Sequence, residues 1–232
     1  MATFVLVHGS WSGGWGYTRV AKMLRGHGHE VFVTTLTGLG ERSHLSHPGI
    51  TLSIHIQDVV NVLEYEDLND VILVGHSYGG MVVTGVATKV GERIRTLVYL
   101  DAFLPADGQA LWDIAGEQGK NFYIEAQKKT PGLIPPLFAA VSEDAQVQER
   151  RMRKLGVQPL LPLLEPVEFT GKEALIANRT YIYATKNAPT GFTKFYDQVK
   201  DDPAWKTKTI ATGHVVMMED PEGLTSLLLE EV

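Results

Sequence analysis

The 232-residue chain reads as an α/β protein: a mostly parallel six-stranded sheet with helices on both faces and a helical cap inserted between the fourth and fifth strands. Three observations predict this. Short apolar runs alternate with amphipathic segments, the pattern of a parallel sheet covered on both sides. The stretch 103–179 lacks strand signals and carries seven prolines, so it interrupts that alternation. Finally, Gly75-His76-Ser77-Tyr78-Gly79 falls where an apolar run gives way to a helix-like segment.

The elements follow in order. Residues 4–7 form the first strand and 17–25 a helix ending at Gly26. Residues 31–34 form the second strand. A helix over 51–64 presents Leu52, Ile56, Val59, Val60 and Leu63 at helical spacing. Residues 70–74 make the third strand, leading through the Gly-x-Ser-x-Gly turn into a helix over 78–90. Ile94–Leu100 is the fourth strand, 180–185 the fifth, 192–199 a helix and Lys206–Ile210 a short sixth strand. Pro221–Leu229 closes the series as an amphipathic helix with proline in its first turn. The core is thus 1–102 with 180–232, and 103–179 is the cap, with a helical patch over 142–155.

Bulk properties narrow the function. A net charge of -6 speaks against nucleic acid, which needs a basic face. No apolar run reaches the 18 or so residues that span a bilayer. Met1-Ala2-Thr3 runs straight into the first strand, leaving no room for a signal peptide. With 44% hydrophobic residues, a mean hydropathy of -0.03 and no cysteine, disulfides and thiolate metal sites are excluded. A cytoplasmic enzyme fits these numbers. The histidines at 27, 29, 44, 47 and 55 lack helix spacing combined with a carboxylate partner, so no metal and no cofactor is expected.

The chemistry starts at Ser77. A serine between strand and helix, flanked by glycines, occupies a strained turn that lifts its hydroxyl clear of the sheet, the nucleophile elbow. Its hydroxyl needs a base, and a carboxylate must hold that base in the right tautomer. A lone histidine is as a rule satisfied or solvated, but His214 follows the last strand and precedes the last helix, where the base of such a triad falls. His76 inside the turn is read as packing, facing away, and His8 as support for its loop. The N–H groups of Tyr78 and Ser10 are the expected oxyanion donors.

Residues 5–15, Val-Leu-Val-His-Gly-Ser-Trp-Ser-Gly-Gly-Trp, together with the Gly75–Gly80 turn and Gly213-His214, resemble the methylesterase and hydroxynitrile-lyase branch of the α/β-hydrolases. The resemblance covers the core and is weak in the cap. It implies a Ser-His-Asp esterase acting on small, mostly apolar carboxylic esters under a helical lid, without fixing the substrate. The chain departs from that branch at the acid. Asn187 stands where its aspartate follows the fifth strand, and Asn cannot stabilise an imidazolium by charge. Asp101, at the end of the fourth strand and 24 residues after Ser77, offers the missing carboxylate in an arrangement similar to haloalkane dehalogenases and some lipases. The plainer reading of Asp101 is a cap or a solvated turn. Those dehalogenases use a carboxylate nucleophile, so their reaction is excluded here.

Trp11, Leu104, Trp112 and Phe138 are the expected substrate-contacting side chains, with Phe122, Leu133, Ile134 and Leu137 as further lid residues or simply the cap's own core. Arg150-Arg151-Met152-Arg153-Lys154 could meet an anion, but reads better as a solvated helix face. The leading function is a serine esterase, with a small-molecule ester as partner and a homodimer left open. Activity should rise with pH as His214 loses its proton. A lactonase or carbon–carbon hydrolase would use the same residues. A lyase of the hydroxynitrile type is disfavoured, because the lysine that follows its histidine is Val215 here. A hydrolase-like small-molecule receptor is the alternative from another class, and Asn187 gives it some standing.

Overall fold

A computed structural model describes residues 1–136 and 145–232. Its main sheet has the strands β1 (Thr3–Val7), β2 (Glu30–Thr34), β3 (Val71–His76), β4 (Ile94–Leu100), β7 (Asn178–Ala184) and β8 (Lys206–Ile210). Their order across the sheet is β2-β1-β3-β4-β7-β8, and every pairing is parallel. The expected six-stranded sheet is present, with boundaries moved by one or two residues.

Side-chain alternation sorts each strand between two cores. Phe4, Leu6, Ile72, Val74, Val98, Leu100, Ile182 and Ala184 face one side. There they meet α1 (Thr18–Gly26), the short α9 (Val216–Glu219) and α10 (Pro221–Leu229). Val5, Val7, Leu73, Leu97, Tyr99, Tyr181 and Tyr183 face the other, under α2 (Leu52–Tyr65), α3 (Gly79–Val90) and α8 (Thr193–Val199). Strands buried on both faces must be apolar throughout, which is why β3 read as one continuous run.

Two helix starts carry side-chain caps. Thr51 accepts from the Ile54 N–H at the start of α2, and Asp220 accepts from the Gly223 N–H ahead of Pro221 in α10. Helix α3 is buried nearly all round because it lies close to the sheet and to α2. A Cβ on Gly85 would fall 2.1 Å from Ile56 Cδ1, and one on Gly80 would fall 2.0 Å from the Phe103 carbonyl oxygen.

Between β4 and β7 the chain forms α4 (Leu111–Ile114), α5 (Gly116–Lys129), α6 (Ala145–Met152) and α7 (Leu161–Leu164). It also forms a two-residue antiparallel ribbon of β5 (Leu133–Ile134) and β6 (Gln158–Pro159). The ribbon corrects the strandless reading of this stretch, since strands so short leave no periodicity. Of the predicted 142–155 helix, residues 142–144 lie outside the described residues, Ala145–Met152 form α6, and the helix stops three residues short of the expected end, in a turn at Arg153 and Lys154. Among the described residues, no helix is long and apolar enough to cross a membrane.

Candidate active site

The strand order reverses direction about β1 and β3, and the crevice beyond their carboxyl ends is where open parallel sheets bind ligands. A cavity of about 300 Å³ opens there, lined by the loop after β1, Ser77, His214 and aromatic side chains.

Ser77 sits in left-handed backbone at φ 54°, a conformation costing a non-glycine residue roughly 1–2 kcal/mol. Three backbone bonds hold it. Its N–H donates to the Leu100 carbonyl at 3.3 Å, and its carbonyl accepts from Gly80 at 3.0 Å and Phe103 at 3.1 Å. Close approach dictates the neighbouring glycines. A Cβ on Gly75 would lie 2.6 Å from the Gly79 carbonyl oxygen, and one on Gly9 would lie 2.8 Å from Ser77 Cβ.

Asp101 also has positive φ, at 41°, and is 1% exposed. Its N–H donates to Ile182 at 2.7 Å, which ties the turn after β4 to β7. Its Oδ1 accepts from the Ala184 N–H at 3.3 Å, and its Oδ2 lies 2.6 Å from Nδ1 of His214. A carboxylate accepts, so the Nδ1 hydrogen belongs to His214 and Nε2 is left with a lone pair. The His214 ring stacks on Phe192, with centroids 4.6 Å apart and planes 9° apart. Beneath it, Glu219 accepts the Gly213 N–H at 2.8 Å.

Asn187 is exposed and stands beside Gly213. The structure therefore brings Ser77, His214 and Asp101 to one cavity, with Asn187 next to the same loop.

His8 is locked as a neutral tautomer. Its Nδ1–H donates to Gly9 at 2.7 Å, its Nε2 accepts from the Leu36 N–H at 3.1 Å, and burial pulls its pKa down to about 4. The N–H groups of Ser10 and Tyr78 meet no protein acceptor among the described residues. The Tyr78 side chain points away from the cavity, its hydroxyl donating to Nδ1 of buried His55 at 2.8 Å.

Several expected positions need correction. His76 does not face away: alternation puts it on the same side as Val74, towards the His214 loop, and it lines the cavity. Leu104 lines a different cavity, with Trp205 and Tyr99. The Phe103 N–H is tied to Ser77, so Phe103 takes the active-site side and its neighbour turns away. Trp112 packs on Tyr123, with ring centroids 6.4 Å apart, outside the described lining. Trp11 does line the cavity, whereas Phe138 and Leu137 lie outside the described residues. Arg151, expected on a solvated face, is 7% exposed and lines the cavity with Tyr123, Phe192, Met217 and Met218. Arg151 was visible only as one member of a basic run, and Tyr123, Phe192, Met217 and Met218 carried no sequence signal, because each reaches the cavity through the tertiary packing of separate segments.

A family model described as the alpha/beta hydrolase family matches residues 4–227, and the chain belongs to that family. Within it, the chain lies in the methylesterase-like branch. It is 40% identical over 238 residues to the carbendazim hydrolyzing esterase of Nocardioides sp. (strain SG-4G), covering 98% of both chains. It is 25% identical over 248 residues to putative methylesterase 11, chloroplastic, of Arabidopsis thaliana, spanning 98% of this chain but 63% of that protein. Among solved structures it is similar to an extracellular alpha/beta-hydrolase from a Paenibacillus species, itself described as sharing structural and functional homology with tobacco salicylic acid binding protein 2. That similarity has a TM-score of 0.87 and 26% identity, over 100% of this chain and 99% of the other.

Proposed function

We propose that this carboxylic ester hydrolase cleaves small, largely apolar esters through an acyl-enzyme on Ser77, with His214 as base and Asp101 as the acid of the triad. The observation that carries the reading is the 2.6 Å contact between Asp101 Oδ2 and His214 Nδ1, at a cavity that both Ser77 and His214 line.

Ser77 Oγ attacks the ester carbonyl and its proton passes to His214 Nε2. Asp101 stabilises the resulting imidazolium. The tetrahedral oxyanion accepts from the N–H groups of Ser10 and Tyr78, which meet no acceptor among the described residues, in support of this role. Collapse expels the alcohol, which takes the proton back from His214. Water then repeats the attack on the acyl-enzyme with His214 again as base, releasing the acid and free Ser77. The stretch 103–179 acts as a cap that supplies apolar walls, and its Arg151 adds one cationic pole to the described lining.

The test is initial-rate hydrolysis of short p-nitrophenyl esters, aromatic methyl esters, carbendazim and lactones, with fluorophosphonate labelling in parallel. We expect ester turnover and labelling by the wild-type protein, both abolished in Ser77→Ala. Folded wild-type protein that neither turns over any ester nor takes the label would overturn the reading.

A further inference from the structure

We infer that the 103–179 segment sets the shape of the oxyanion loop by clamping Trp11, and that Gln158 is a positioning residue for the Ser10 N–H. This rests on the serine-esterase reading above.

Trp11 is a non-glycine residue at φ 63°, a backbone conformation that persists only where its surroundings over-determine it. All three of its polar groups are bonded to that one segment. Its N–H donates to Gln158 Oε1 at 3.3 Å, its carbonyl accepts from the Gly156 N–H at 2.9 Å, and its indole Nε1–H donates to the Ile134 carbonyl at 2.8 Å. Ile134 and Gln158 are directly paired in the β5–β6 ribbon, so a single small unit delivers two of the three bonds. The indole ring also packs edge-on against Phe122 of α5, with centroids 6.3 Å apart.

The core holds the other side of the loop. His8 bonds the Gly9 carbonyl, and the Gly14 N–H donates to Thr35 Oγ1 at 2.9 Å. Ser10 therefore lies between a clamp from the core at His8–Gly9 and a clamp from the ribbon at Trp11. Fixing the peptide after Ser10 restricts the rotation that aims its own N–H. An oxyanion donor acts only where it is preorganised, and losing one costs roughly 10²–10³ in kcat, so partial misplacement should cost part of that. Gln158 suits this duty: it is fully buried and accepts without bringing a charge into the ribbon.

The test measures kcat, KM and inhibition by a trifluoromethyl ketone analogue of the best ester. That ketone accepts Ser77 Oγ at its carbonyl carbon and forms the oxyanion. Gln158→Leu should lower kcat about 10- to 100-fold and weaken the ketone by a similar factor, with KM within about threefold. Gln158→Asn, which keeps a neutral amide oxygen as acceptor at shorter reach, should restore part of both. Gly156→Pro, which deletes the second clamp bond from outside the ribbon, should show the same split more mildly and serves if Gln158→Leu does not fold. Unchanged kcat and ketone affinity in the folded variant would overturn the inference and leave the esterase reading intact. Absence of ester turnover in the wild type would instead strike at the esterase reading.

Discussion

His76 Nε2–H donates to the carbonyl oxygen of His214 at 2.8 Å, and the two imidazole rings lie 4.6 Å apart. The variable residue of the Gly-x-Ser-x-Gly turn thus holds the backbone of the proposed base. His76 is neutral: burial, and then the neighbouring His214, push its pKa well below the ordinary histidine value. A second cation beside a developing imidazolium would oppose catalysis, and a neutral donor does not. His76→Leu should lower kcat about fivefold with KM little changed, as expected for a lost hydrogen bond of about 1 kcal/mol. His76→Gln, which retains a donor, should recover part of the loss. Steady-state kinetics on the pair separates a positioning role from general damage.

Asp101→Asn should lower kcat by about 10³–10⁴. The protein should still fold, since asparagine tolerates the left-handed backbone found at this site. Asn187→Asp adds a carboxylate at an exposed position to a site that already has one, and should change kcat less than about threefold. Kinetics with circular dichroism on both variants checks this. A severe loss in Asn187→Asp with Asp101→Asn near normal would reverse the assignment of the acid.

Stability should fall on mild acidification. His8 has a folded pKa of about 4 against an ordinary 6.5, chiefly through burial. Between those values the unfolded chain binds a proton that the native state refuses, so unfolding gains as pH drops. The contribution of His8 is complete above about pH 6.5 and is lost towards pH 4, to a total of about 3 kcal/mol. Buried His55 and His76 shift in the same direction. Urea midpoints from pH 7 to 4.5 should decline, and less steeply in His8→Gln, whose amide can both donate to Gly9 and accept from Leu36.

Arg151 bears on substrate choice. Burial lowers its pKa to about 10, with Glu219 opposing, so it stays charged at neutral pH in a cavity whose walls mix aromatic and thioether side chains with serines and histidines. Arg151→Met should raise KM about 10-fold or more for esters bearing a second, anionic group, the scale of a charge-assisted hydrogen bond. Neutral esters should change less than about threefold. Equal effects on both classes would remove Arg151 from recognition.

What could be read in the chain followed physical range. The sheet was legible because short buried apolar runs are local signals, as in residues 71–74. Ser77 and His214 were legible because a tight turn and a loop between the last strand and last helix leave marks within a few residues. Asp101 drew attention by standing at a strand end where Asn187 vacates the usual one. Contacts made by folding distant segments together left no such mark. Arg151 turns inward while Arg150, Met152 and Arg153 face outward, and nothing in that basic run distinguishes them. His76 was misread because its partner is a carbonyl 138 residues away. Leu104 and Trp112 are apolar as expected, but the direction taken after Phe103 and the packing on Tyr123 decide what they touch.

The turn after β4 carries Asp101, and the neighbouring turn after β7 carries Asn187 beside Gly213. On the triad proposed here, two adjacent parallel strands end in turns at one loop, the first reaching the His214 imidazole and the second lying beside the residue before it. A lineage could then transfer its acid from one turn to the other through an ancestor bearing carboxylates at both, each step a single replacement and none passing through an inactive form. The chemistry of such a site asks for a carboxylate within reach of His214 Nδ1 and does not by itself fix where in the chain that carboxylate stands.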